Sequence, residues 1–452
     1  MQLDTQTLPL LREALEKLEE AFGNLPTVSR PDESARLRAV LTTVAERLQD
    51  NYPYFHPLYA GQMLKPPHAV ARLAYMLSLW INPNNHAFDG GRASSAMEKE
   101  AVAEIAAMFG WSAHLGHLTG GGTMANLEGL WAAGRLTTGR MIVASDQAHY
   151  THKRISDVLR LPFQDVQSDE SARMDVQSLR RKLDDGNVGT VVVTMGTTGT
   201  GSVDPLPEIL ELQKRYGFRI HADAAYGGYF TLAGNLQHGT QRSFEALSQV
   251  DSIAIDPHKH GLQPYGCGCI LFRDPAVGVL YRHDSPYTYF TSSELHLGEI
   301  SLECSRAGAS AVALWATQKL LPLKRSGEFA RGLERSREAA LMLHERLERD
   351  ARFLVLPKPQ LDIVVWAPAA DSLKRVSERS RALFAEAAKR NLHLAMSRVP
   401  AAQLGALWPG VARDQESVVC LRSCLMKSEH RDWVDTIWSI LNECADAITQ
   451  TA

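Results

Sequence analysis

The ten residues His221–Phe230, HADAAYGGYF, follow directly on the short β-rich run Phe218-Arg219-Ile220, and their reading decides the fold. A strand that runs into Asp223 and breaks at Gly227-Gly228 delivers a carboxylate to the crevice where open α/β sheets bind ligands. Taken alone, Asp223 would serve equally well as the cap of a following helix. Working outward, runs of the same kind recur at 140–145 (RMIVAS), 189–196 (GTVVVTMG) and 252–258 (SIAIDPH), separated by helical patterns. Strands alternating with helices predict a mainly parallel sheet in a large α/β domain.

On either side the text changes. Leu8, Leu11, Leu15 and Leu18 form the stripe of an amphipathic helix. Prolines at 53, 57, 66 and 67 then hold off regular structure until helix resumes near Ala69. Beyond Leu321-Pro322 come a long amphipathic stretch at 328–350, two β-like runs at 362–368 and 417–426, and a closing helix over 433–448. The expected organisation is an N-terminal helical segment over 1–65, a large α/β domain over 66–321 and a small α+β domain over 322–452.

Composition narrows the function. The chain has 452 residues, 45% hydrophobic and 22% charged, which is ordinary for a folded protein. Its 48 Lys plus Arg against 51 Asp plus Glu leave a net charge of −3, so nothing favours a nucleic-acid backbone. The six cysteines lack the paired C-x-x-C spacing of a structural zinc site, and no metal is expected. With no basic, apolar leader and no apolar run long enough to span a bilayer, the expected compartment is the cytoplasm, away from membranes.

Two further segments carry chemistry. In DSIAIDPHKHG, 251–261, Lys259 stands at a strand end between two histidines. Desolvation and neighbouring positive charge there would leave a nucleophilic amine able to form a Schiff base. In LTGGGTMANLEGLWAAGR, 118–135, three glycines and Thr123 precede a helix and offer free N–H groups to a phosphate. No Gly-Lys-Ser/Thr follows, so this is not a nucleotide-triphosphate loop. A phosphate cup, an aspartate and an activated lysine in that order describe a site for pyridoxal 5′-phosphate. The lysine carries the aldehyde, the glycines take the phosphate, and the aspartate keeps the pyridine nitrogen protonated.

With these residues in place, the chain resembles the group II pyridoxal-phosphate-dependent amino-acid decarboxylases of fold type I, which include aromatic-amino-acid, glutamate and aspartate decarboxylases. The likeness runs from about Tyr52 to Arg306 and is carried by SDQAH (145–149), TMGTTGTGSVD (194–204), HADAAYGG (221–228), DPHKHG (256–261) and LECSR (302–306). The resemblance implies that Lys259 holds the cofactor, Asp223 pairs with its ring nitrogen, His149 stacks on the ring and Ala225 packs beneath it. It likewise implies that Gly122, Thr123 and His258 receive the phosphate and that Thr197 lies near the phenolic oxygen. Tyr289, or Tyr287 beside it, would return the proton to the α-carbon from a loop that closes over substrate.

The implied reaction converts an L-amino acid to its amine and carbon dioxide, in a homodimer with the active site at the subunit interface. The alternatives use the same cofactor: a carbon–carbon lyase acting on a phosphorylated amino alcohol, an aldehyde-forming oxidative decarboxylase, or a transaminase. Arg398 and Arg422 are both candidates to hold a substrate carboxylate, and Arg306 in LECSR is left without a direction. The aromatic patch Tyr52, Tyr54, Phe55 and His56 suggests a pocket wall. The substrate itself is not legible at this level.

Overall fold

A computed structural model describes residues 3–29, 31–282 and 301–450. Its centre is a seven-stranded sheet built from β1 (Leu115–Thr119), β2 (Met141–Ser145), β3 (Phe163–Val166), β4 (Val188–Thr194), β5 (Arg219–Asp223), β6 (Ser252–Ile255) and β7 (Gly268–Phe272). The strand order is β1-β7-β6-β5-β4-β2-β3. Strands β2 to β6 pair in parallel, while β7 runs antiparallel to both β6 and β1. Six of the seven strands therefore point the same way, and their carboxyl ends share one edge.

The central strands are buried along their whole length, as expected when helices cover both faces of a sheet. Val191, Val193, Ile220, Ala222 and Ile253 belong to a single core that also takes in helices on the sheet and the seam with the second domain. Four of these strands are the β-rich runs legible in the sequence. The edge and antiparallel strands β1, β3 and β7 are less so, because LGHLT and FQDV carry Gly, His or charge within four or five residues.

A second, antiparallel sheet of β8 (Phe353–Val355), β9 (Ile363–Pro368), β10 (Ala395–Pro400) and β11 (Ser417–Cys424) has the order β10-β11-β9-β8. Helices Glu328–Arg349, Leu373–Lys389 and His430–Gln450 pack together over it, around Trp366, Leu343, Leu383 and Leu441.

At the N-terminus, helix Leu8–Glu20 buries Leu11 and packs on helix Ala69–Ser78, which starts where the proline-rich stretch ends. A further helix, Ser34–Leu48, was not foreseen and buries none of its residues. Among the described residues no helix is long and apolar enough to cross a membrane. All six cysteines are free thiols.

Candidate active site

The shared edge of the sheet opens into a cavity of about 570 Å3. Its lining comes from the ends of five strands: Gly120–Thr123 after β1, His149 and Thr151 after β2, Thr194 and Gly196 from β4, Asp223, Ala225 and Tyr226 from β5, and Asp256, His258 and Lys259 after β6. Parallel strands ending together explain how residues more than a hundred positions apart converge.

Asp223 is the anchor. One carboxylate oxygen accepts from His152 Nε2 at 2.8 Å and the other from the Ala225 N–H at 3.1 Å. Burial is the largest single influence on this acid and would raise its pKa. The His152 hydrogen bond and charge, with Lys259 and the Ala225 amide, outweigh burial and hold Asp223 well below the usual carboxylate range. His152 is itself buried. It was not singled out in the sequence, although its place one helical turn beyond His149 was a usable signal.

Lys259 Nζ lies 3.0 Å from Asp256 Oδ2. The expected squeeze between two positive imidazoles does not occur. His258 turns its Nδ1 to the Cys267 N–H, and His260 faces Asp362 across 3.3 Å, with burial lowering the pKa of both rings. The lysine meets a carboxylate instead, one residue type the sequence offered in the same motif.

The glycine-rich turn leads into helix Gly122–Leu136. Gly121 has φ +152°, a region that favours glycine, and a Cβ on Gly122 would lie 2.7 Å from Asp256 Oδ2. The cup thus exists only without side chains. Gly122 and Thr123, the first residues of that helix, line the cavity, and the start of a helix suits an anion.

His149 lines the cavity with Nδ1 2.7 Å from Thr151 Oγ1, and burial first of all lowers its pKa. Ala225 also lines it. Thr197 does not: its hydroxyl accepts from the Ser202 N–H at 3.1 Å and lies 2.8 Å from Thr200 Oγ1, closing its own loop. Thr194, the last residue of β4, lines the cavity with a buried hydroxyl that has no partner among the described residues. The strand-end logic that selected Asp223 would have found it. Tyr289 and Tyr287 lie outside the described residues.

The arginines separate clearly. Arg306 grips Leu118 O at 2.9 Å and Asn85 O at 3.0 Å and pairs with buried Glu98, behind the cavity wall. Arg422, nearly buried, donates to Thr198 O and to Gln62 Oε1, each at 2.8 Å, and Thr198 lines the cavity. Arg398 borders a different cavity. Tyr52 and Tyr54 pack against His393 and Tyr59, and His56 against Trp433, so the aromatic patch faces the small domain. Among the described residues no cluster of His, Cys, Asp and Glu is arranged to hold a metal.

Pyridoxal 5′-phosphate fits these residues. A side-chain-free cup awaits a phosphate, an ionised buried aspartate suits a protonated ring nitrogen, an unpartnered threonine hydroxyl awaits an acceptor or donor, and a lysine amine stands in the same cavity.

Comparison with known proteins agrees. Residues 130–367 match the pyridoxal-dependent decarboxylase conserved domain. A probable L-tyrosine/L-aspartate decarboxylase of Methanothrix thermoacetophila is 35% identical over 259 residues, which is 56% of this chain and 64% of that protein. An L-tyrosine decarboxylase of Enterococcus faecium is 27% identical over 412 residues, covering 69% of this chain and 67% of that one. The chain thus spans about two thirds of the length of these relatives. Oryza sativa TDC, solved with PLP and tryptamine, superposes with a TM-score of 0.79 at 17% identity, covering 99% of both chains, a likeness of fold. With that domain matched over more than half of this chain, the protein belongs to the pyridoxal-dependent decarboxylases.

Proposed function

We propose that this protein converts an L-amino acid to its amine and carbon dioxide, with pyridoxal 5′-phosphate held by Lys259. The observation that carries the reading is the convergence of Lys259 and Asp223 with the glycine-rich turn on one cavity, with Asp256 paired to Lys259 and Asp223 to His152. Bound cofactor supplies an aldehyde that condenses with amino groups and a ring that draws electrons from the α-carbon.

This chain's residues do the rest. Asp223, kept ionised by His152, holds the proton on the ring nitrogen. Gly122 and Thr123 receive the phosphate, with His258 beside them. Thr194, whose hydroxyl lines the cavity, would take the role that the motif resemblance suggested for Thr197. His149 and Ala225, which both line the cavity, would hold the ring. Lys259 provides the amine, oriented by Asp256.

Arg422 is the residue we assign to a substrate carboxylate. Its Nε is buried without a partner, and no carboxylate of the described residues lies within ion-pair distance of it. A buried guanidinium without an anion is costly, and a ligand carboxylate would relieve it. Leu127, Met124 and Ala225 lend the cavity apolar surface, which disfavours a solvated carboxylate and so assists loss of carbon dioxide.

Assembly as a homodimer belongs to the same proposal. Helix Ser34–Leu48 exposes Leu37, Val40, Leu41, Val44 and Leu48 along one stripe, and a second copy of the chain is the partner we assign to it.

The test is mass spectrometry of products after incubating cofactor-loaded protein with a pool of amino acids that includes tyrosine, tryptophan, aspartate, glutamate, histidine and diamino acids. An amine lighter than one member by carbon dioxide is expected. An aldehyde or keto acid instead would overturn the decarboxylase reading.

A further inference from the structure

The glycine-rich turn already holds an anion supplied by the chain. Both oxygens of the Glu303 carboxylate accept from the Gly120 N–H, at 2.9 and 3.1 Å, and Glu303 lines the cavity beside Gly120, Gly121 and Gly122. A Cβ on Gly120 would lie 2.8 Å from Glu303 Oε1, so the carboxylate occupies space that only a glycine leaves open.

Two features distinguish this acid from the others at the cavity. Asp256 faces Lys259 and Asp223 faces His152, whereas Gly120 is the only hydrogen-bond partner of the Glu303 carboxylate among the described residues, and no cation of theirs lies within ion-pair distance. The backbone that carries Glu303 is also held close to the turn. Arg306, three residues on, is fixed to Leu118 O and Asn85 O and paired with Glu98, and Cys304 between them is held at φ +58°. The segment 303–306 therefore grips the chain at Leu118 and again at Gly120, on the approach to the cup. The charge of Glu303 reaches into the helix beyond: burial first, with Glu303 adding to it, pushes the Glu128 carboxyl up to about 8.

A tethered, uncompensated carboxylate on the first amide of an anion-binding turn opposes a second anion there. We propose that Glu303 and the cofactor phosphate compete electrostatically for the glycine-rich turn, which makes Glu303 the positioning residue that limits how tightly the cofactor is held. By reciprocity, a bound phosphate weakens the grip of 303–306 on Gly120 by the same factor. The inference rests on the cofactor reading above and assigns a direction opposite to that of ordinary damage: removing this contact strengthens binding.

The experiment titrates cofactor-free protein with pyridoxal 5′-phosphate and, separately, with pyridoxal, which lacks the phosphate, following the visible absorbance of the bound ring. Wild type, Glu303→Gln and Glu303→Ala are compared. Both variants lose the charge, and Gln keeps an acceptor for Gly120. Each is expected to bind pyridoxal 5′-phosphate more tightly, on the order of tenfold, with pyridoxal affinity unchanged; inorganic phosphate should compete with the cofactor more strongly in the variants than in wild type. Equal or weaker cofactor binding in both variants overturns the proposal, as does an equal gain for pyridoxal. Failure of the wild type to bind pyridoxal 5′-phosphate at all would instead remove the cofactor reading on which it stands.

Discussion

Two cavities sit back to back in this molecule, and they differ in how far their charged groups are buried. The loop at 196–202 divides them, with Thr198 lining the strand-end cavity and Thr200 lining a second one of about 360 Å3 at the seam between the two sheets. Around the first, Asp223, Asp256 and His152 are buried and matched to one another or to Lys259. Around the second, Lys358 and Arg398 are exposed and have no ion-pair partner among the described residues, while Arg173 pairs with Asp169 in a partly exposed contact. Water screens the second set, whereas the first acts through a medium where each charge is felt strongly. Burial of the charges at Asp223, Asp256 and His152, rather than charge alone, marks the site, and half-buried Glu303 is the exception to their pairing.

That contrast can be broken at its strongest point. Lys259→Ala should abolish turnover and the absorbance change on cofactor binding together; undiminished turnover would disprove a covalent role for this amine. Next comes a matched pair, one arginine from each cavity. Arg422→Gln is expected to lower kcat/KM by roughly 30- to 1,000-fold, as for loss of a buried charged partner, and Arg398→Gln to leave it nearly unchanged. Equal effects in steady-state kinetics would erase the distinction drawn here.

A smaller effect sharpens the role of pairing. His152→Leu leaves Asp223 without its imidazole donor, so its pKa should rise and kcat fall by about 10- to 100-fold, the scale seen when a supporting partner is lost. His152→Gln, which keeps a donor, should recover part of that loss. The pH dependence of the cofactor absorbance reads the change directly.

The smallest effect concerns stability. Glu128, which accepts from Tyr281 at 2.9 Å and lies 2.8 Å from His117 Nε2, has its pKa raised from 4.5 to about 8, chiefly by burial. Its folded form binds a proton that the unfolded chain releases, so its contribution is fully present below pH 4.5 and is lost as pH rises through about 8. Thermal unfolding between pH 6 and 9 should therefore show Glu128→Gln losing less stability than wild type, by roughly 1–3 kcal/mol. Parallel curves would show that this acid does not carry the alkaline loss.

In the sequence, the end of a strand is the unit that can be read. Apolar runs of four to seven residues are local, and each closes in a residue with chemistry to offer: Asp223, Lys259 or the glycines at 120–122. Backbone requirements at the glycine-rich turn and the tally of charges are equally local, so fold class and cofactor chemistry were legible in the text alone, and Gly122, Thr123, His149, Asp223, Ala225, His258 and Lys259, singled out there, all line one cavity. Partners were not. That His152 serves Asp223, that Asp256 meets Lys259, that Thr194 lines the cavity while Thr197 closes a loop, and that Arg422 stands behind Thr198 while Arg398 borders the seam all depend on side-chain direction across non-adjacent strands. The linear text specifies which residues reach the end of a strand. Only the packed sheet, by setting which ends are neighbours and which charges lose their water, decides whom each one faces.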